Sequence, residues 1–92
     1  MHFTWDTKKA VANFKKHKVS FDEAVSVFSD PFGKIFNDPD HSVDEDRFIL
    51  IGSSFKNQLL FVVHVHIEDS DVLRIISARK ATRREIQDFE SL

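Results

Sequence analysis

The sequence predicts an α+β fold, with a single domain over residues 1–92. In it an N-terminal αα-hairpin packs on a mostly antiparallel sheet and a C-terminal helix closes the chain. Three observations predict this. Apolar residues recur at helical spacing up to Phe28, as Ala10, Val11, Phe14 and then Phe21, Ala24, Val25, Phe28. After Gly33 the pattern gives way to short runs of strand character separated by polar turns. Thr82-Arg83-Arg84-Glu85 then reads as a capping box, Ser/Thr with Glu three residues on, and opens a last helix carrying Ile86 and Phe89.

Taken in order, Phe3 to Trp5 is a short first strand. Asp6 suits an N-cap, and Thr7 to about Lys16 reads as a helix. Ser20-Phe21-Asp22-Glu23 is a second capping-box pattern, and Asp30-Pro31 ends the helix it opens. Strands follow at Gly33 to Asn37, Arg47 to Ser53, Leu59 to His66 and Val72 to Ala78. The polar segment Asp38 to Asp46 and tight turns at Ser54 to Gln58 and Glu68 to Asp71 connect them. The last three strands are close in sequence, so an antiparallel meander is the simplest connection. Trp5, at a helix entry, is expected in the core.

Composition narrows the function. Hydrophobic residues are 41% of the 92, and ten phenylalanines with no tyrosine indicate aromatics that fill volume. No cysteine is present, which removes disulfides and thiolate metal sites. The apolar runs 48–51 and 59–63 are far too short to span a bilayer, and Met1 to Asp6 carries no signal-type core. The expectation is a cytoplasmic chain with no membrane association. Net charge is −2, yet the charge is segregated. Lys8, Lys9, Lys15, Lys16 and Lys18 occur with no acid among them. Asp38, Asp40, Asp44, Glu45 and Asp46 occur with no Lys or Arg among them. From Arg74 to Arg84 every charge is positive. Such segregation builds a polarised surface on a nearly neutral protein.

The chemistry-bearing residues cluster at Arg74 to Glu85, where an apolar strand runs into a helix beside Arg74, Arg79, Lys80, Arg83 and Arg84. Arginine presents a rigid fork of donors that stays charged, suited to phosphate. His64 and His66 share one face of their strand. A turn centred on Asp69 sets His64 opposite Arg74, an arrangement fit for acid–base work on a bound phosphodiester. The same residues also fit a solvated strand end. A metal at His64-x-His66 needs a third ligand, such as His41 or an aspartate of the acidic segment, and Arg74 alongside opposes a cation. No metal and no cofactor is therefore expected. On the first helix Lys9, Asn13, Lys16 and His17 fall within an arc of roughly 100°, which reads either as a phosphate-contacting stripe or as a solvated face. Arg84 and Asp88 are spaced for an i,i+4 pair.

These residues resemble the BrnT family of bacterial type II toxins. The resemblance runs through Trp5-Asp6, Lys9, Asn13, Lys16-His17, Val19-Ser20-Phe21 and Glu23-Ala24. It continues through Phe28, Asp30-Pro31, Asp38, His41-Ser42, Glu45, Arg47-Phe48 and Ile51-Gly52, and closes on Arg74 to Glu85. It implies a RelE-like ribonuclease that cleaves RNA without metal, the ribose 2′-OH attacking the neighbouring phosphate. It also implies a BrnA-like ribbon-helix-helix antitoxin that blocks the toxin and represses the shared operon, so that operator DNA is met only through the antitoxin. Set on this chain, His64 becomes the proton-transfer candidate, with a lysine of lowered pKa as the other choice. Arg74 and Arg79 become the groups that stabilise the transition state, and Lys9, Lys16, His17 and Arg83 the contacts to the RNA backbone. The rival expectation is a non-catalytic module that holds a DNA-binding partner. Two positions depart from the family pattern: Lys18 stands where glycine is more usual after the histidine, and Phe89 stands where a hydroxylated aromatic is common.

Overall fold

The computed structural model describes residues 1–39 and 47–91. Most of the acidic segment, with His41, Ser42 and Glu45, lies outside the described residues. The elements are β1 (His2–Thr4), α1 (Thr7–His17), α2 (Phe21–Ser26) continued by a 3-10 turn (Val27–Ser29), β2 (Lys34–Asn37), β3 (Arg47–Ser53), β4 (Leu59–His66), β5 (Val72–Lys80) and α3 (Arg83–Glu90). Five strands form one sheet in the order β1-β5-β4-β3-β2. All neighbours are antiparallel except β1, which lies parallel to β5 with Phe3 beside Leu73 and Thr4 beside Arg74. The chain thus begins with a strand, one residue earlier than the expected Phe3 to Trp5, and the two helices follow it.

Side-chain caps set where each helix starts. Asp6 accepts from the Lys8 and Lys9 amides at 2.8 and 3.2 Å, Ser20 from Glu23, and Thr82 from Glu85. Thr82 and Glu85 complete the reciprocal capping box. Glu23 departs from the pattern. Its carboxylate does not turn back to Ser20 but lies fully buried, accepting from Ser54 Oγ at 2.6 Å and Gln58 Nε2 at 2.9 Å. It thereby ties α2 to the β3–β4 turn. Lys18 ends α1 in the left-handed conformation, φ 61°, with its amide bonded to the Phe14 carbonyl. Where glycine takes that conformation freely, a side chain costs about 1 kcal/mol.

Val19, Phe21, Ala24 and Val27 from the helical segment meet Leu50, Leu60, Val62, Ile75 and Ala78 of the sheet in one core. Trp5 packs edge-on to Phe21 and Phe3 tilts against Phe28. Close approach is sharpest at Gly52, where an added Cβ would lie 2.9 Å from Val27 Cγ1. Asn13 is the polar fastener. Its amide donates to the Val19 and Ala78 carbonyls at 3.0 and 2.8 Å and accepts from the Ala78 amide at 3.1 Å. Those Ala78 groups lie on the part of β5 that the short β1 does not cover, so the side chain substitutes for a missing strand.

α3 packs on the other face of the sheet. The Lys34 ammonium donates to the Phe89 carbonyl at 2.9 Å and sits 4.9 Å from the Phe89 ring centre. A crevice of about 230 Å³ remains between α3 and Phe36, Ile49, Ile51 and Phe61. No residue of α3 is fully buried.

Candidate active surface on the sheet

Strand register decides which side chains share a face. In β3 and β4, Arg47 pairs with Val65, Ile49 with Val63 and Ile51 with Phe61. In β4 and β5, Val65 pairs with Arg74 and His64 with Ile75. The register then shifts, so that Val63 pairs with Ser77 and Phe61 with Arg79. Ile76 is the extra residue of a β-bulge. Because paired residues project to the same side, one face carries Arg47, Val65, Arg74 and Thr4 as a row, with Ser77 and then Arg79 further along β5. The face turned to α1 and α2 carries Phe48, His64 and Ile75.

This corrects the expected pairing of His64 with Arg74. The β4–β5 hairpin turns half a residue later than a turn centred on Asp69, which exchanges the face of every side chain on one strand. His64 is 2% exposed, with its ring 4.9 Å from that of Phe28 and stacked on Phe48 at 5.9 Å. Its pKa is pushed down to about 4, chiefly by burial, so the ring is neutral at pH 7. The bulge also has a constructive effect. Arg74 and Arg79 have opposite parity in the sequence, and the one unpaired residue between them brings both to the same face.

The two arginines are in different electrostatic settings. Arg79 is held by Glu85, with Nη1 and Nη2 each 2.8 Å from a carboxylate oxygen. Its guanidinium lies 4.1 Å over the Phe61 ring centre. This pairing holds the Glu85 carboxyl below its usual range and raises Arg79. Arg74 is half-buried and makes no hydrogen bond or ion pair among the described residues. Arg47 stands two strands away on the same row, about 10 Å across the sheet. Sequence reading gave Arg47 and Thr4 no site role. The alternation of Arg47 with Ile49 and Ile51 was visible, but its alignment with Arg74 depends on two registers at once.

The α1 stripe is divided by Asn13, which serves the scaffold. Lys9 and Lys16 are exposed, each within about 60° of Asn13 around the helix. Asn13 grips Ala78, so both lysines flank the uncovered edge of β5. His17 is half-buried in the last turn, and Arg83 and Lys80 are exposed. Arg84 reaches Asp88 only at 3.9 Å, both largely solvated. Among the described residues no three His, Asp or Glu side chains gather as metal ligands. His41, the third ligand considered above, lies outside them.

The family model described as the ribonuclease toxin BrnT of type II toxin–antitoxin systems matches residues 5–85. No curated protein matches the sequence. Among solved structures the chain is similar to the 1.1 Å crystal structure of the ribonuclease toxin BrnT of Brucella abortus, at 26% identity and a TM-score of 0.70. That match covers 90% of this chain and 99% of the other.

Proposed function

The chain belongs to the BrnT family of ribonuclease toxins of type II toxin–antitoxin systems, and from that premise we propose that it is a metal-independent, RelE-like endoribonuclease acting in the cytoplasm. A BrnA-like ribbon-helix-helix antitoxin neutralises it and carries it to operator DNA. Among the described residues no helix is long and apolar enough to cross a membrane.

The observation that carries the reading is Arg74: a half-buried guanidinium on the face of the sheet that also carries α3, with no carboxylate satisfying it among the described residues. A partly desolvated cation without a counter-charge favours an anionic ligand. The phosphodiester of RNA supplies one, and Arg47 approaches the same row. In cleavage the 2′-OH loses its proton and its oxygen bonds to phosphorus. The P–O5′ bond breaks, and the 5′-oxygen takes up a proton, leaving a 2′,3′-cyclic phosphate. Preorganised charge at the phosphorane-like transition state supplies the largest part of such a rate enhancement, and in this reading Arg74 provides that charge. Arg79, already engaged by Glu85, positions α3 and the Phe61 ring beside the site. Lys9, Lys16, His17 and Arg83 contact the RNA backbone. His64 is buried on the opposite face, which removes it as the proton-transfer group and leaves a lysine as the alternative.

Purified wild type and Arg74→Ala are compared on RNA, with and without chelator. The expected result is cleavage that survives chelation and falls about 100-fold or more in the variant. Undiminished cutting by Arg74→Ala removes the residue from the mechanism, and loss on chelation overturns metal independence. Absence of cleavage by the wild type favours the non-catalytic module that holds a DNA-binding partner.

A further inference from the structure

The α1–α2 side of the molecule carries a feature that RNA cleavage does not use. A groove of about 340 Å³ runs between the two helices, floored by Trp5, Ala10 and Phe21 and walled by Val11 and Phe14. Val11 is 54% exposed and Phe14 48%. Helical spacing predicts an apolar face on α1, and the structure covers only half of it: Ala10 packs inward while Val11 and Phe14 stand open. Lys15 lies about 40° and Lys8 about 60° around the helix from Val11, both exposed. The one acid lining the groove, Asp22, sits on the α2 side.

We propose that this groove anchors the antitoxin, through an amphipathic segment whose apolar side chains fill it and whose acidic side chains meet Lys8 and Lys15. The proposal rests on the toxin reading above, since it is the toxin–antitoxin family that supplies a protein partner. Charge complementarity selects the occupant. Lys15 lines the groove and Lys8 follows it around the helix, with no acid in the first turn of α1, so the groove is an apolar strip with a basic border on its α1 side and Asp22 on its α2 side. A second copy of this chain fits poorly, because a two-fold contact through one groove sets the same basic helices against each other. RNA gains little from an apolar wall of Val11 and Phe14, which offers neither donors nor charge. An acidic, amphipathic peptide segment satisfies both the strip and its border. A partner seated there also lies along the helix that carries Lys9 and Lys16.

The test uses Phe14→Glu and Lys15→Glu, neither of which belongs to the RNA-contacting set. Affinity for the antitoxin co-purified from the shared operon is measured by calorimetry, alongside RNA cleavage and sedimentation. Expected are a loss of affinity of about 100-fold for Phe14→Glu and about 10-fold for Lys15→Glu, with cleavage and melting temperature unchanged. Affinity within about twofold of wild type in both variants overturns the proposal. So does loss of cleavage with antitoxin binding intact, which assigns the groove to RNA, or a dimer that Phe14→Glu splits without altering antitoxin affinity. Should Phe14→Glu fold poorly, Lys15→Glu on the exposed border decides alone. The affinity readout stands even if the wild type cuts no RNA, so the two readings fail separately.

Discussion

Replacing Asn13 by alanine separates scaffold from surface at a position where sequence and structure disagree. By spacing, Asn13 belongs to a basic stripe that touches phosphate. In the structure it is 8% exposed and makes three hydrogen bonds, two to the fully buried Ala78 and one to Val19. Truncation takes this partner from three buried groups, the Ala78 amide and carbonyl and the Val19 carbonyl. Each buried group so orphaned costs about 1–3 kcal/mol; allowing some entry of water, the sum is about 3 kcal/mol. A domain of this size has roughly 5–14 kcal/mol in all, so the loss is a large share of its stability. In urea, with a slope of about 1.5 kcal/mol/M, the midpoint falls by about 2 M. The melting temperature falls by about 12–24 °C. Asn13→Asp is expected to do worse at neutral pH, since it keeps only the acceptor and aims a carboxylate at two carbonyl oxygens. If Asn13→Ala unfolds within about 0.5 M of wild type while RNA cutting disappears, the clamp argument is refuted and the stripe reading returns.

Two further outcomes follow from the same geometry. His64 binds a proton in the unfolded chain at its ordinary pKa near 6.5 but in the folded protein only near 4. The stability associated with its neutral ring is therefore intact above pH 6.5 and is lost as the pH falls through that window, by about 3 kcal/mol in total. His64→Leu flattens the dependence, and equal acid slopes for the two proteins in urea titrations at pH 7 and 4.5 would show that the ring is not shielded. Arg79→Ala frees Glu85 and uncovers Phe61. With the arginine side chain one-third exposed, about 1–2 kcal/mol is expected, read as faster hydrogen exchange across α3, and unchanged protection there counts against the ion pair as its tether.

Local chemistry made much of the fold legible. Asp6, Ser20 and Thr82 cap helices as their sequence contexts indicate, and β3 and β4 begin and end at the expected residues, because capping and alternation are decided within a few residues. What could not be read depends on partners distant in sequence. The carboxylate of Glu23 satisfies the form of a capping box, yet Ser54 and Gln58, some thirty residues on, draw it into the interior. β1 is a three-residue strand, and nothing within it shows that it adds in parallel beside β5. The site was half legible: the arginines stand out by type, but their faces follow from a turn displaced by half a residue and from one unpaired Ile76. For the same reason His64 looked accessible, since polarity at a strand end marks solvent only when the register is known.

The unpaired Ile76 has a consequence for comparing relatives. It works as a phase shifter in β5: before it even-numbered side chains face α3, after it odd-numbered ones do. A relative that gains or loses one residue between Ile75 and Ser77 would keep nearly every amino acid yet send Arg79 to the opposite side from Arg74. Alignments across this strand are therefore better anchored by counting ladder partners on β4 than by matching letters.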